Sequence, residues 1–360
     1  MRSGRRLDWR ALTMVGALLA IWLVFSIATD GTFLRPRNLS LLARQMSVTS
    51  ILAVGMVLVI VAGQIDLSVG ALAGLTGALG TLAYVRLGWP LALAFLAALG
   101  IGAALGALQG SLVARLRIPP FIVTLGGMLL FQGALLGVTG GVSISPPRSF
   151  LFVGQAYLPR PAGWILAGLA ALALFLDAFR AEGGHLRRAG FAALAVGVVA
   201  VMNAYAGVPV PVLVVLTLAA ALSTVALHTP FGRHLYAIGG NREAAFYSGI
   251  AIERHLVGVF TLMGLLAGAA GVVLTARVGS ATPNAGQLME LDAIAAAVIG
   301  GTSLLGGQGT VWGALLGALV MASLDNGMSL LNTESFWQLI LKGAILVAAV
   351  AVDMAGRRGR

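Results

Sequence analysis

The sequence predicts an all-α protein that crosses a lipid bilayer many times, and three observations carry that prediction. Hydrophobic residues make up 59% of the 360 residues and charged residues only 10%, where a soluble domain carries about a quarter charged. The mean hydropathy is +0.97. Twelve apolar runs approach the ~20 residues needed to cross a hydrocarbon core, at about 11–28, 46–62, 67–85, 91–114, 121–138, 162–179, 190–207, 210–228, 256–276, 289–304, 310–331 and 336–353. No stretch remains for a soluble domain, so residues 1–360 read as one transmembrane domain.

Arg2, Arg5, Arg6 and Arg10 precede the first run, and Thr29-Asp30-Gly31-Thr32-Phe33 follows it. A cleaved signal peptide has a shorter apolar core and a small-residue cleavage site, so the first run reads as an uncleaved helix. With a cytoplasmic N-terminus, fifteen arginines fall inside and seven outside. That is the bias expected of cytoplasmic loops, and an even number of crossings returns the C-terminus to the cytoplasm. The expected location is a membrane crossed many times, with both termini on its cytoplasmic side.

The net charge of +11 lies in short gaps between apolar runs, without the basic stripe or aromatic platform that nucleic acid requires. Cysteine is absent, which excludes disulfides, Cys-ligated zinc and iron–sulfur clusters. His185, His228, His234 and His255 have no metal-ligand spacing.

Glycines four apart recur at Gly70/Gly74, Gly102/Gly106/Gly110, Gly133/Gly137, Gly264/Gly268 and Gly313/Gly317. Such small faces let helix backbones approach closely where lipid supplies no hydrophobic drive. The fourth and eleventh runs share Gly-Ala-x-Leu-Gly-Ala-Leu from Gly102 and Gly313, and the predicted topology orients them oppositely. Inverted repeats of this kind build midplane pathways.

A charge in a bilayer costs about 2.5 kcal/mol or more, so each polar interruption needs a reason. Gln64-Ile65-Asp66-Leu67-Ser68 separates two runs. Asp66 is placed to cap the next helix by accepting from the N–H of Ser68 or Val69, and Gln64, Asp66 and Ser68 are also candidates to line a polar path. In Glu290 to Gly307, Asp292 is placed to cap a short helix, and paired glycines flanking Thr302-Ser303 predict its interruption. Asp325 and Lys342 each lie eight or nine positions from the centre of the last turn, so a helical hairpin sets them at one depth as an intramembrane pair.

Two loops are long. The outer one spans about 139–161. In the inner one, about 229–255, Thr229-Pro230-Phe231-Gly232 ends a helix and Gly239-Gly240-Asn241 turns into a short helix that Gly249 terminates. That helix exposes Arg242, Glu243 and Tyr247 to a docking protein or to the lipid surface.

Glu243-Ala244-Ala245, followed by Gly249, resembles the signature that permease subunits of ATP-binding-cassette importers present to their ATPases. GQIDLSVG at 63–70, TPFGRHLYAIGGNREAAFYSGI from Thr229 and ELDAIAAAVIGGTSLLGGQGT at 290–310, in that order, resemble the ribose/xylose/arabinose permease family. The similarity covers about 35–138 and 209–353. The segment 160–207 looks like a helix pair added to a ten-helix core, as in xylose-type members.

The resemblance implies a transport subunit without catalytic residues, paired with a second, identical permease. An ATPase would bind inside and a sugar-binding protein outside. ATP-Mg would sit on the ATPase and no cofactor on this chain, which has no Gly-rich loop ending in Lys-Ser/Thr for nucleotide phosphates. By motif position the coupling residues would be Gly240, Asn241, Glu243, Ala244, Ala245 and Gly249, and the pathway residues Gln64, Asp66, Ser68, Thr302 and Ser303. The implied substrate is a monosaccharide, a pentose such as xylose or ribose. Branched-chain amino acids and a signalling furanose stay open as alternatives. A different class, an ion-coupled carrier using Asp66, Glu290, Asp292 and Asp325, is also open.

Overall fold

The structure is a computed structural model that describes residues 9–180 and 185–358. Arg2, Arg5, Arg6 and Arg360, which carry part of the topology prediction, lie outside the described residues. Among the described residues the chain folds into fifteen α-helices without a sheet, and two isolated backbone bridges, Ile144 with Ala281 and Tyr157 with Pro209, tie its loops.

The helices are α1 Trp9–Ala28, α2 Pro36–Val61, α3 Val69–Val85, α4 Leu91–Ala114, α5 Pro120–Thr139, α6 Arg148–Gln155, α7 Arg160–Arg180 and α8 His185–Asn203. They continue as α9 Val210–His228, α10 Pro230–Gly240, α11 Arg242–Tyr247, α12 Ile252–Val278, α13 Met289–Ile299, α14 Val311–Leu330 and α15 Ser335–Arg358. Each of the twelve apolar runs coincides with a helix. Six of them (α2, α4, α5, α9, α12 and α14) are long and apolar enough to cross a membrane, and shorter apolar stretches lie within α1, α3, α8 and α15.

The core is built around α2. Its side chains from Ile51 to Val61 are buried on every side, the signature of a helix enclosed by others. It begins ten residues earlier than its apolar run, because Pro36 starts the helix. Asn38 then finds partners inside the bundle, donating 2.8 Å to the Phe33 carbonyl and 2.7 Å to Asn326 Oδ1.

Close backbone contact joins α4 to α12. A Cβ on Gly102 would strike the Gly264 carbonyl oxygen, one on Gly106 the Phe260 carbonyl oxygen, and one on Gly268 would lie 2.7 Å from the Ala98 carbonyl oxygen. Gly313 and Gly317 do the same for α14 on α13, meeting Gly300 and Ala296. Gly133 and Gly137 have nothing within 4 Å and pack against no helix.

Three regions differ from their predicted form. The predicted helix 289–304 stops at Ile299, and residues 300–310 form a loop with left-handed Gly301, Gly306 and Gly307. At eleven residues α13 is about 16 Å long, half a hydrocarbon core. The outer loop contains α6, whose Phe150 is fully buried and meets Phe95 edge-on at 5.0 Å. Thr229 ends α9 as expected and also starts a helix: its side chain accepts from the Gly232 N–H at 3.2 Å, capping α10. Pro230, whose missing N–H costs nothing at a first helical position, follows it.

Candidate functional site

The polar breaks and the surface helices meet at one end of the bundle, where α10 and α11 lie. Asn241 both stops α10 and starts α11. Its N–H donates to the Ala237 carbonyl at 3.0 Å, and its side chain accepts from the Ala244 N–H at 2.9 Å. Gly249, at φ +80, ends α11. The Ile250 N–H reaches back to the Ala245 carbonyl and the Gly249 N–H to the Phe246 carbonyl, which is the Schellman closure. Six residues are too few to form a helix alone, so both caps and the buried Ala245 hold it. Arg242, Glu243 and Ala244 are exposed, and so are Phe246 (65%) and Tyr247 (78%). Phe246 is the apolar neighbour that sequence reasoning passed over. His234 and His255, hydrogen-bonded ring to ring at 3.0 Å, tie α10 to α12.

Beneath this foot lies the break between α2 and α3. Asp66 Oδ1 accepts from the Ser68 N–H at 2.8 Å and from the Ser68 hydroxyl at 2.6 Å. Asp66 therefore closes a turn around Ser68, and Ser68 itself is the residue flanking the helix. With its proton given to Asp66, the Ser68 hydroxyl accepts from Gln109 Nε2 at 3.0 Å. Gln109 on α4 was not singled out in the sequence, where it reads as one amide in an apolar helix. Room for it comes from Gly127, whose Cβ would strike Gln109 Nε2. Gln64 folds onto its own backbone, 3.0 Å from the Gly63 carbonyl.

The 300–310 loop is the foot's other support. Ser303 is fully buried; its N–H donates to the Gln308 carbonyl at 2.9 Å and its hydroxyl accepts from the Leu305 N–H at 3.1 Å. Thr302 is fully buried as well, and its hydroxyl has no partner. Gln64, Asp66, Ser68, Thr302 and Ser303 are all sealed inside the bundle, bracing the breaks, and none faces an open channel in this conformation.

Glycines join the foot to both breaks. The Gly307 N–H donates to the Val61 carbonyl at 2.9 Å, and Tyr236 Oη donates to the Gly309 carbonyl at 2.7 Å. A Cβ on Gly239 would strike the Val61 carbonyl oxygen and lie 2.8 Å from the Gly307 nitrogen. One on Gly307 would lie 2.8 Å from Gly240 Cα. Three backbones therefore touch without intervening side chains.

Away from the foot, Lys342 Nζ on α15 lies 2.9 Å from Asp325 Oδ2 on α14 and 3.1 Å from Asp292 Oδ2 on α13. The structure thus brings together Asp325 and Lys342 and adds a third member. Asp292 does not cap α13: Leu288 occupies that position, and Asp292, a full turn into the helix, faces Lys342 instead. Among the described residues no group of His, Asp and Glu is arranged to hold a metal ion.

Residues 38–350 match the family described as "Branched-chain amino acid transport system / permease component". The chain is 45% identical over 372 residues to the xylose transport system permease protein XylH of Escherichia coli (strain K12), covering 98% of this chain and 94% of that protein. It is 44% identical to XylH of Haemophilus influenzae, covering 96% of each chain. It is 38% identical to the ribose import permease protein RbsC of Escherichia coli (strain K12), covering 98% and 97%. No solved structure matches.

Proposed function

The chain belongs to this family of permease components, and on that premise we propose that it is the membrane subunit of an ATP-driven importer for a pentose. Relatives named for xylose and ribose align over nearly the whole chain, which favours a monosaccharide over the amino acids in the family's description. The single observation that carries the coupling mechanism is the seating of α10, which bears α11 at its end, on the two glycine breaks.

In this reading both termini are cytoplasmic and α11 is the contact for a partner ATPase through Asn241, Glu243, Ala244 and the exposed rings of Phe246 and Tyr247. Gly240 and Gly249 set its two ends. The pair α7 and α8 is an addition at the edge of the core; most of α7's described large apolar side chains, Trp164 and Ile165 among them, are exposed. Two copies of the chain form the pathway, and a sugar-binding protein delivers substrate at the α6 end.

Nucleotide binding by the ATPase pair favours one of two permease states, and only differential binding can shift that equilibrium. The push enters at α11. It passes through α10 to Val61 and the 306–309 glycines by direct backbone contact, with no flexible side chains to absorb it. Moving that junction moves the ends of α2 and α14 together, opening one face of the pathway and closing the other.

The test is reconstitution of the permease with its ATPase and binding protein in proteoliposomes. D-xylose or D-ribose uptake should require all three components and ATP. Uptake by the permease alone, driven by an ion gradient, would instead establish an ion-coupled carrier.

A further inference from the structure

Residues 279–288, between α12 and α13, are irregular backbone within a membrane bundle. They leave α12 at Gly279, pair through Ala281 with Ile144 by two 2.9 Å hydrogen bonds, and then return into the bundle along α3. There Ala285 and Gly286 press against α3: a Cβ on Gly70 would strike the Gly286 carbonyl oxygen, and one on Gly74 the Ala285 carbonyl oxygen. Non-helical backbone at such depth is tolerated only where protein buries it or a polar cavity lies beside it. Here a cavity of about 120 Å³ does lie beside it, between this segment, the start of α3 and the middle of α5.

The lining has a definite chemistry. Gln132 from α5, Asn284 and Gln287 from the re-entrant segment, and Glu290 from the first turn of α13 supply three amides and one carboxylate. Among the described residues none of the three amide side chains has a hydrogen-bond partner; Asn284 and Gln287 are exposed and Gln132 is half-buried. The cleft is open at Asn284 and Gln287, so its amides are available to a guest with several hydrogen-bonding groups. Met128 and Leu135 form an apolar wall. No lysine or arginine lines the cavity, so an amino acid's carboxylate has no counter-charge there. One carboxylate is too few for a dehydrated divalent cation, which takes six or more oxygens.

We infer that this cleft is a sugar-binding station, in which the amides and Glu290 meet hydroxyls and the Met128–Leu135 wall meets the C–H face of one ring. The inference rests on the proposed import function and adds its substrate site. Each hydroxyl both donates and accepts, and amides do the same, which accounts for a mixed lining better than any charged guest. It also relocates recognition: the five polar residues at the breaks are sealed, whereas Asn284 and Gln287 are exposed at a cleft that Gln132 and Glu290 also line.

The absence of cysteine makes the test direct. Asn284→Cys or Gln287→Cys supplies one thiol per permease chain in the transporter reconstituted with its ATPase and binding protein, and labelling is read on the separated permease chain. Labelling by a small methanethiosulfonate during ATP turnover should slow severalfold as D-xylose is raised, saturably, and not with L-leucine. Glu290→Gln should abolish most of that protection, a change that docking of the binding protein alone would not produce. If either cysteine halts import, the other serves, and Gln132→Leu, which should lower uptake at least tenfold with the complex intact, reports without a thiol. Labelling indifferent to xylose in a transporter that imports it, or protection by leucine, overturns the inference. Failure of the unmodified complex to import any pentose would instead overturn the function on which it rests.

Discussion

Tyr236 on α10 and Gly309, 73 residues further along the chain, are joined by a 2.7 Å hydrogen bond from phenol to carbonyl. It adds a side-chain hydrogen bond to a junction made by the backbones of Val61, Gly239, Gly240 and Gly307, and Tyr236→Phe removes it without altering shape. A net loss of about 1 kcal/mol is expected, a modest fall in melting temperature. The larger effect falls on coupling: sugar imported per ATP hydrolysed should drop while the ATPase stays bound. An unchanged ratio would remove this bond from the transmission path.

Gly239 and Gly240 are adjacent and predict opposite outcomes for the same substitution. Gly239→Ala drives a methyl into the Val61 carbonyl, whereas Gly240→Ala meets nothing within 4 Å. The first should destabilise the purified permease by about 3 kcal/mol, the upper end for overpacking. The second should shift stability by under about 1 kcal/mol. Thermal unfolding in detergent distinguishes them, and equal effects would refute the direct backbone contact.

Lys342 serves two carboxylates. Lys342→Met leaves Asp292 and Asp325 facing each other without compensation, and for half-buried groups the loss should stay below the about 3–5 kcal/mol of a fully buried pair. Adding Asp292→Asn and Asp325→Asn to Lys342→Met should recover most of the loss. If the triple variant melts no higher than Lys342→Met, the three residues do not act as one ionic unit.

Asn241→Ala removes the cap that starts α11, worth about 1 kcal/mol, and a six-residue helix has little else to hold its entry. Asn241→Asp keeps an accepting oxygen and should retain ATPase binding, whereas Asn241→Ala should lose much of it in a pull-down. Glu243 is exposed and its side chain makes no hydrogen bond or ion pair among the described residues, so Glu243→Ala should leave stability within about 0.5 kcal/mol. The ATPase affinity alone should fall. A Glu243→Ala permease that binds and couples normally would place the docking surface elsewhere.

Element by element, legibility followed the range of the interaction. The Asn241 cap and the Gly249 stop are local, made within a few residues, and the sequence already points to both. The Asp325–Lys342 approach was readable because a hairpin of fixed rise sets two positions at one depth. Asp292 was misplaced because its apparent capping position is local, while its partner comes from another helix 50 residues away. Gln109 and Gln132 carried no local signal, since a lone amide among apolar residues has the same appearance whether it faces a partner, a cavity or solvent.

Taken alone, then, the amino-acid order settled the bilayer as solvent, the place of the twelve apolar helices, and the short surface helix that Gly249 ends. Those properties depend on hydrophobic run length and on neighbouring residues. Only the assembled bundle decided which breaks are sealed, that Gly239 touches Val61 and Gly307, and that unpartnered amides converge on one cleft. Those facts depend on residues far apart in the chain approaching within a few ångströms, which no local pattern encodes.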